Sequence, residues 1–130
     1  MIGYVTLGTN DIAKAKTFYE ALLAPLGARI LMQFDNGFTM YGTDFSKPAL
    51  AITPPHDGKP ATVGNGVMPA IVVDTRAKVD ELHAIALAQG GTCEGPPGLR
   101  GEEGDQAFYG AYFRDLDGNK LGTFHIGPAQ

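Results

Sequence analysis

The stretch IGYVTLGTNDIAKAKTFYEALLAPLG, residues 2–27, returns 64 residues later as GVMPAIVVDTRAKVDELHAIALAQGG, residues 66–91, with no gap. An echo of this length marks two copies of one supersecondary unit, and it decides how the rest of the chain divides. In each copy a short apolar run, Tyr4 to Leu7 or Met68 to Val73, leads to a polar residue, Asn10 or Asp74, able to cap the amides of a starting helix. The helices carry apolar residues at matching places, Ala15, Phe18, Leu22 and Leu23 against Val79, Leu82, Ala86 and Leu87, spaced as one amphipathic face requires. Gly27 and Gly91 are the expected stops, since glycine enters the left-handed conformation at little cost.

After each helix the period shortens. Three strands are predicted in the first half, over 28–34, 38–41 and 49–53, and three in the second, over 92–94, 107–114 and 120–126. Each half therefore reads βαβββ. This gives module one over 1–54, a Pro- and Gly-rich linker over 55–65, TPPHDGKPATVGNG with its flanks, and module two over 66–130. A longer loop, EGPPGLRGEEGDQ at 94–106, is read either as a mobile lid or as a solvated excursion. A ferredoxin-like split βαβ domain places its second helix later, so the repeat argues against it.

Composition limits the function classes. The chain has 130 residues, enough to bury a core without a disulfide or structural metal, and 44% hydrophobic against 18% charged residues excludes a disordered segment. Net charge is −4 with the ten Lys and Arg scattered, so nucleic acid is not an expected partner. No apolar run approaches the roughly 20 residues of a membrane helix, and the first residues lack the features of a signal peptide. A soluble cytoplasmic protein is the expectation. The single Cys93 suits a reducing compartment and is expected as a small core residue.

The two modules, together with the closing phrase RDLDGNKLG at 114–122, resemble the vicinal oxygen chelate superfamily of glyoxalase I, extradiol dioxygenases and the fosfomycin- and bleomycin-resistance proteins. The phrase is similar to the family's DPDGN-x-(I/L)-E, with Leu116 in place of the usual Pro and an Asp117-Gly118-Asn119 turn kept. The resemblance implies an α+β fold of two tandem βαβββ modules, its mixed sheets curled into a half-barrel cup with the helices outside. It also implies inward ligands on the first and last strand of each module, holding a divalent metal with open positions for an oxygen substrate. In this sequence those positions fall on Tyr4, Met68, Ala51 and Gly122, and only Tyr4 bears an oxygen, on a phenol with an ordinary pKa near 10. His56, His83 and His125 form no H-x-x-x-H pattern and are expected in structural roles. The expectation is a protein with no metal and no cofactor.

Alternation along strands gives the expected lining: Tyr4, Thr6, Met68, Phe108, Tyr112, Gly122 and Phe124 as ligand-binding residues, with His125 facing away and Arg100 at the rim. An apolar, aromatic surface of this kind suits a small hydrophobic or aromatic molecule. Two classes of function stay open. One is metal-independent binding, as in the bleomycin-resistance members; the other is an enzyme, a glyoxalase-like lyase or isomerase or an extradiol-type dioxygenase, or a metal-free catalyst using Tyr4 or Tyr112 as general acid. The resemblance also implies a homodimer.

Overall fold

The computed structural model describes residues 1–129. Its elements are β1 (Tyr4–Gly8), α1 (Ile12–Leu23) with a 3-10 turn behind it (Ala24–Leu26), β2 (Arg29–Gln33), β3 (Thr39–Gly42) and β4 (Ala49–Thr53), then β5 (Ala70–Val72), α2 (Arg76–Ala88), β6 (Thr92–Leu99), β7 (Phe108–Arg114) and β8 (Lys120–Ile126). Two four-stranded sheets result, ordered β1-β4-β3-β2 and β5-β8-β7-β6. In each the first strand runs parallel to the last and the remaining pairs are antiparallel. This is the α+β arrangement of two βαβββ modules, and neither sheet closes on itself. Two compact units hold them: Met1–Asn65 with Leu116–Asn119, and Gly66–Asp115 with the chain from Lys120 on.

In the first unit α1 turns Ala15, Phe18, Tyr19, Leu22 and Leu23 inward, and the sheet answers with Leu7, Tyr41 and Ile52, all buried. Removing side chains of this size from water is worth about 1.5–3 kcal/mol each. The Tyr41 hydroxyl donates to Glu20 Oε2 at 2.9 Å, which fixes this face of the sheet against the helix. Burial first, then Glu20, pushes the Tyr41 phenol well above its ordinary pKa. In the second unit α2 packs across β6, β7 and β8. It buries Val79, Leu82, His83 and Ala86 over Ala111, Phe113 and Leu121.

Several sequence expectations need correction. The helix caps are Asp11 and Thr75, one residue beyond Asn10 and Asp74: both have extended backbone, and their side chains accept from the amides of Lys14 at 3.1 Å and Lys78 at 3.0 Å. Asn10 is committed elsewhere, its N–H donating to Asp117 Oδ1 at 2.8 Å and its side chain exchanging two bonds with the Ala61 backbone. Gly27 does take a left-handed φ of 74°, closing the 3-10 turn, but behind α2 the left-handed residue is Gly90, at φ 97°, and not Gly91. Leu87 is 39% exposed; the inward place belongs to His83, which is 64 residues after the equally buried Tyr19.

The predicted strand over 68–73 shrinks to Ala70–Val72, so Met68 precedes β5. Pro69 still accepts a bond from the Gly122 amide, at 2.9 Å, through its carbonyl. Conversely, β6 extends through most of the predicted loop, to Leu99. It is an edge strand, where prolines without N–H groups are tolerated, and register shifts around Gly95 and Gly98 take up Pro96 and Pro97. The remaining loop is tied down by Arg76, which pairs with Glu103 and donates to the Gly127 carbonyl at 3.1 Å.

Candidate functional site

Pairing registers fix which side chains share a face, because directly paired residues project to the same side of a sheet. In the first unit Tyr4 pairs with Ala49, Thr6 with Ala51, and Ala51 in turn with Met40. These residues lie opposite the face that meets α1. Tyr4 and Thr6 are exposed, and the Tyr4 ring stands edge-on to Phe38, 6.2 Å between centroids, with Phe34 stacked on Phe38.

In the second unit Ala70 pairs with Gly122 and Val72 with Phe124, while across the hairpin Gly122 pairs with Tyr112 and Phe124 with Gly110. The two sheets thus repeat one another in register: Thr6 meets Ala51 where Ala70 meets Gly122, and residues 6 and 70 are 64 apart. This places Ala51 and Gly122 at equivalent positions on the last strands, as the sequence match had them.

Each aromatic ring on this second face leans over a glycine. A Cβ on Gly122 would stand 3.2 and 3.3 Å from two carbons of the Tyr112 ring and 3.6 Å from the Met68 methyl; one on Gly95 would stand 3.0 Å from the same ring's other edge. Tyr112 therefore lies flat across the backbone of both neighbouring strands, and it can do so because neither neighbour has a side chain. Likewise a Cβ on Gly110 would come within 2.7 Å of the Phe108 ring, which stacks on Phe124 at 5.1 Å and 8°. The spot where the family's carboxylate ligand stands is covered here by a phenol ring and a thioether.

Cations surround that ring. The Arg100 guanidinium lies 5.3 Å from the Tyr112 centroid and the Lys120 ammonium 5.7 Å. Arg100 does sit beside the aromatic face. Its Nη1 donates to Gly98 O at 3.0 Å and Nη2 to Pro96 O at 2.7 Å, so the side chain is held by β6 itself. Lys120 was missed by the sequence reading, although its even spacing from Gly122 puts it on the same face. Beyond it Arg114 pairs with Glu94, whose carboxyl is held below the usual range by that bond.

The residues do not fit the family's divalent metal. Tyr4, Met68, Ala51 and Gly122 supply one phenol and one thioether, neither a good ligand for a hard or borderline cation. Among the described residues no group of three or more His, Cys, Asp or Glu is placed to hold a metal ion. The histidines have other neighbours: His125 Nδ1 lies 3.1 Å from Val73 O, and His83 Nε2 lies 3.3 Å from Cys93 Sγ. His83 is buried, not at a helix surface or edge, and burial lowers its pKa against a smaller opposing effect of Asp80. Cys93 is exposed, not a core residue, because it sits on an edge strand. On the same helix-facing side, the Tyr109 hydroxyl donates to Asp80 at 2.7 Å, and this bond raises its pKa.

Two unclosed mixed sheets, each backed by one helix and each repeating the other's register, define a protein of the vicinal oxygen chelate class. The model of the Glyoxalase/Bleomycin resistance protein/Dioxygenase superfamily matches residues 1–123, and the chain belongs to that family. Among solved structures it is similar to a glyoxalase/bleomycin resistance protein from Albidiferax ferrireducens T118, at 37% identity and TM-score 0.84 over 96% of this chain and 98% of that one. In fold it also matches a glyoxalase/bleomycin resistance protein/dioxygenase family enzyme from Burkholderia phytofirmans PsJN, at 20% identity and TM-score 0.70 over 95% and 97%. A lactoylglutathione lyase from Agrobacterium tumefaciens matches at 19% identity and TM-score 0.65 over 96% and 92%. A search of curated proteins returns no match. Among the described residues no helix is long and apolar enough to cross a membrane.

Proposed function

We propose that this chain binds a small hydrophobic or aromatic molecule without a metal, using the sheet faces turned away from the helices. The observation that carries the reading is the Tyr112 ring, lying with the Met68 methyl over Gly122 where a carboxylate ligand would have to project. Tyr4 and Thr6 on the first sheet, and Met68, Phe108, Tyr112, Gly122 and Phe124 in the second unit, are the proposed binding residues. Aromatic faces with a few hydroxyls favour planar apolar ligands through stacking and one or two hydrogen bonds. The family also contains enzymes, and the alternative is a glyoxalase-like lyase or dioxygenase drawing a metal from other donors. The mismatch of Tyr4, Met68, Ala51 and Gly122 to a metal's needs favours binding.

Elemental analysis of dialysed protein, paired with calorimetric titration of small aromatic compounds, tests the reading. Aromatic binding by metal-free protein is expected. Stoichiometric nickel, zinc, iron or manganese would overturn it in favour of the enzyme. The reading further includes a homodimer, to be checked by solution mass, and a cytoplasmic setting, which the lone Cys93 supports.

A further inference from the structure

We propose that the ligand taken by the second sheet is an anion: a planar aryl carboxylate, its ring against Phe108, Phe124 and Tyr112 and its carboxylate at Arg100 and Lys120. This rests on the reading that the face binds an aromatic molecule, and adds the ligand's charge. The chain as a whole carries −4, yet around Tyr112 stand three cations, Arg100, Arg114 and Lys120, against the single carboxylate of Glu94, a local balance of +2. Arg114 is committed to Glu94. Lys120 also feels Glu94, but only as the smallest of the influences on that carboxyl. Among the described residues neither Arg100 nor Lys120 is in an ion pair.

Arg100 is already oriented. Its bonds to Gly98 O and Pro96 O use two of a guanidinium's five N–H donors and leave its charge uncompensated, since carbonyls are neutral. The rotamer freedom an arginine ordinarily loses on meeting a carboxylate is largely spent before the ligand arrives. Both cations lie within 6 Å of one ring, so an aryl group stacked beside Tyr112 brings a ring-borne carboxylate within reach of either. A cationic aromatic meets the same charges as repulsion.

Titration calorimetry of the full chain with 2-naphthoate, 2-naphthylmethanol and 2-naphthylmethylammonium tests this. The carboxylate should bind about tenfold more tightly than the alcohol. The ammonium should bind more weakly than the alcohol, and naphthoate affinity should fall as salt rises. Lys120→Gln and Arg100→Gln should each weaken naphthoate about tenfold while leaving the alcohol within about twofold. Lys120→Gln alone decides the matter if loss of the Arg100 bonds unsettles β6. Equal affinity for acid and alcohol, or naphthoate binding indifferent to Lys120→Gln, overturns the inference and leaves aromatic binding standing. Failure of all three probes to bind overturns both.

Discussion

Adding one methyl group at Gly122 tests how the aromatic face is built. The backbone there does not have a positive φ, so alanine fits it and should gain about 0.4–1 kcal/mol by restricting the unfolded chain. Against that gain stand the 3.2 and 3.3 Å approaches to Tyr112, tighter than ordinary van der Waals contact, on a strand where the ring is also confined from the Gly95 side at 3.0 Å. Overpacking of this kind costs about 1–3 kcal/mol, so Gly122→Ala should destabilise by about 1 kcal/mol net, lowering Tm by about 3–5 °C. In a Tyr112→Ala background only the Met68 methyl remains near, at an unstrained 3.6 Å, and the same substitution should stabilise. Urea unfolding of the four proteins of this cycle should give a coupling of about 1–2 kcal/mol between positions 112 and 122. Equal effects of Gly122→Ala in both backgrounds would refute the placement of the ring. The functional corollary is direct: a carboxylate restored at 122 meets the ring before it meets any cation, so recreating the family's metal ligand requires Tyr112 to go as well.

Other outcomes follow from the same geometry. His83 is buried with its pKa held below 6.5, so the unfolded chain binds the extra proton first; its stabilising contribution is complete above 6.5 and is lost as pH falls from there toward the lower folded value. The slope of stability against pH in that window should flatten in His83→Gln, and an unchanged slope would count against burial as the cause. Asp11→Ala and Thr75→Ala should each cost about 1 kcal/mol as lost helix caps, whereas Asp74→Ala should show no capping loss in thermal melts. Arg76→Ala should free the chain around Glu103, seen as faster limited proteolysis between residues 100 and 106; an unchanged cleavage pattern would show that other bonds hold the loop. Cys93, exposed on an edge strand, should react with a thiol reagent in the native protein, while reaction only after denaturation would place it inside.

By itself the sequence determined the repeat, and with it two βαβββ modules, because helical and strand periods and a constant 64-residue offset are local properties of the chain. Phe18 and Leu22, Val79 and Leu82 were readable as core from spacing alone, and so was the equivalence of Ala51 with Gly122. Local pattern could not say that Asn10 would be drawn away to Asp117 and Ala61, leaving the cap to Asp11, since those partners lie 51 and 107 residues distant. Nor could it separate His83 from a surface histidine, or Cys93 from a core cysteine, because burial depends on which strand becomes an edge. The aromatic face shows the division most clearly. Alternation put Phe108, Tyr112, Gly122 and Phe124 on one side, but only cross-strand register set each ring over a glycine and brought Arg100 and Lys120 around Tyr112, because pairing partners are chosen by the whole sheet.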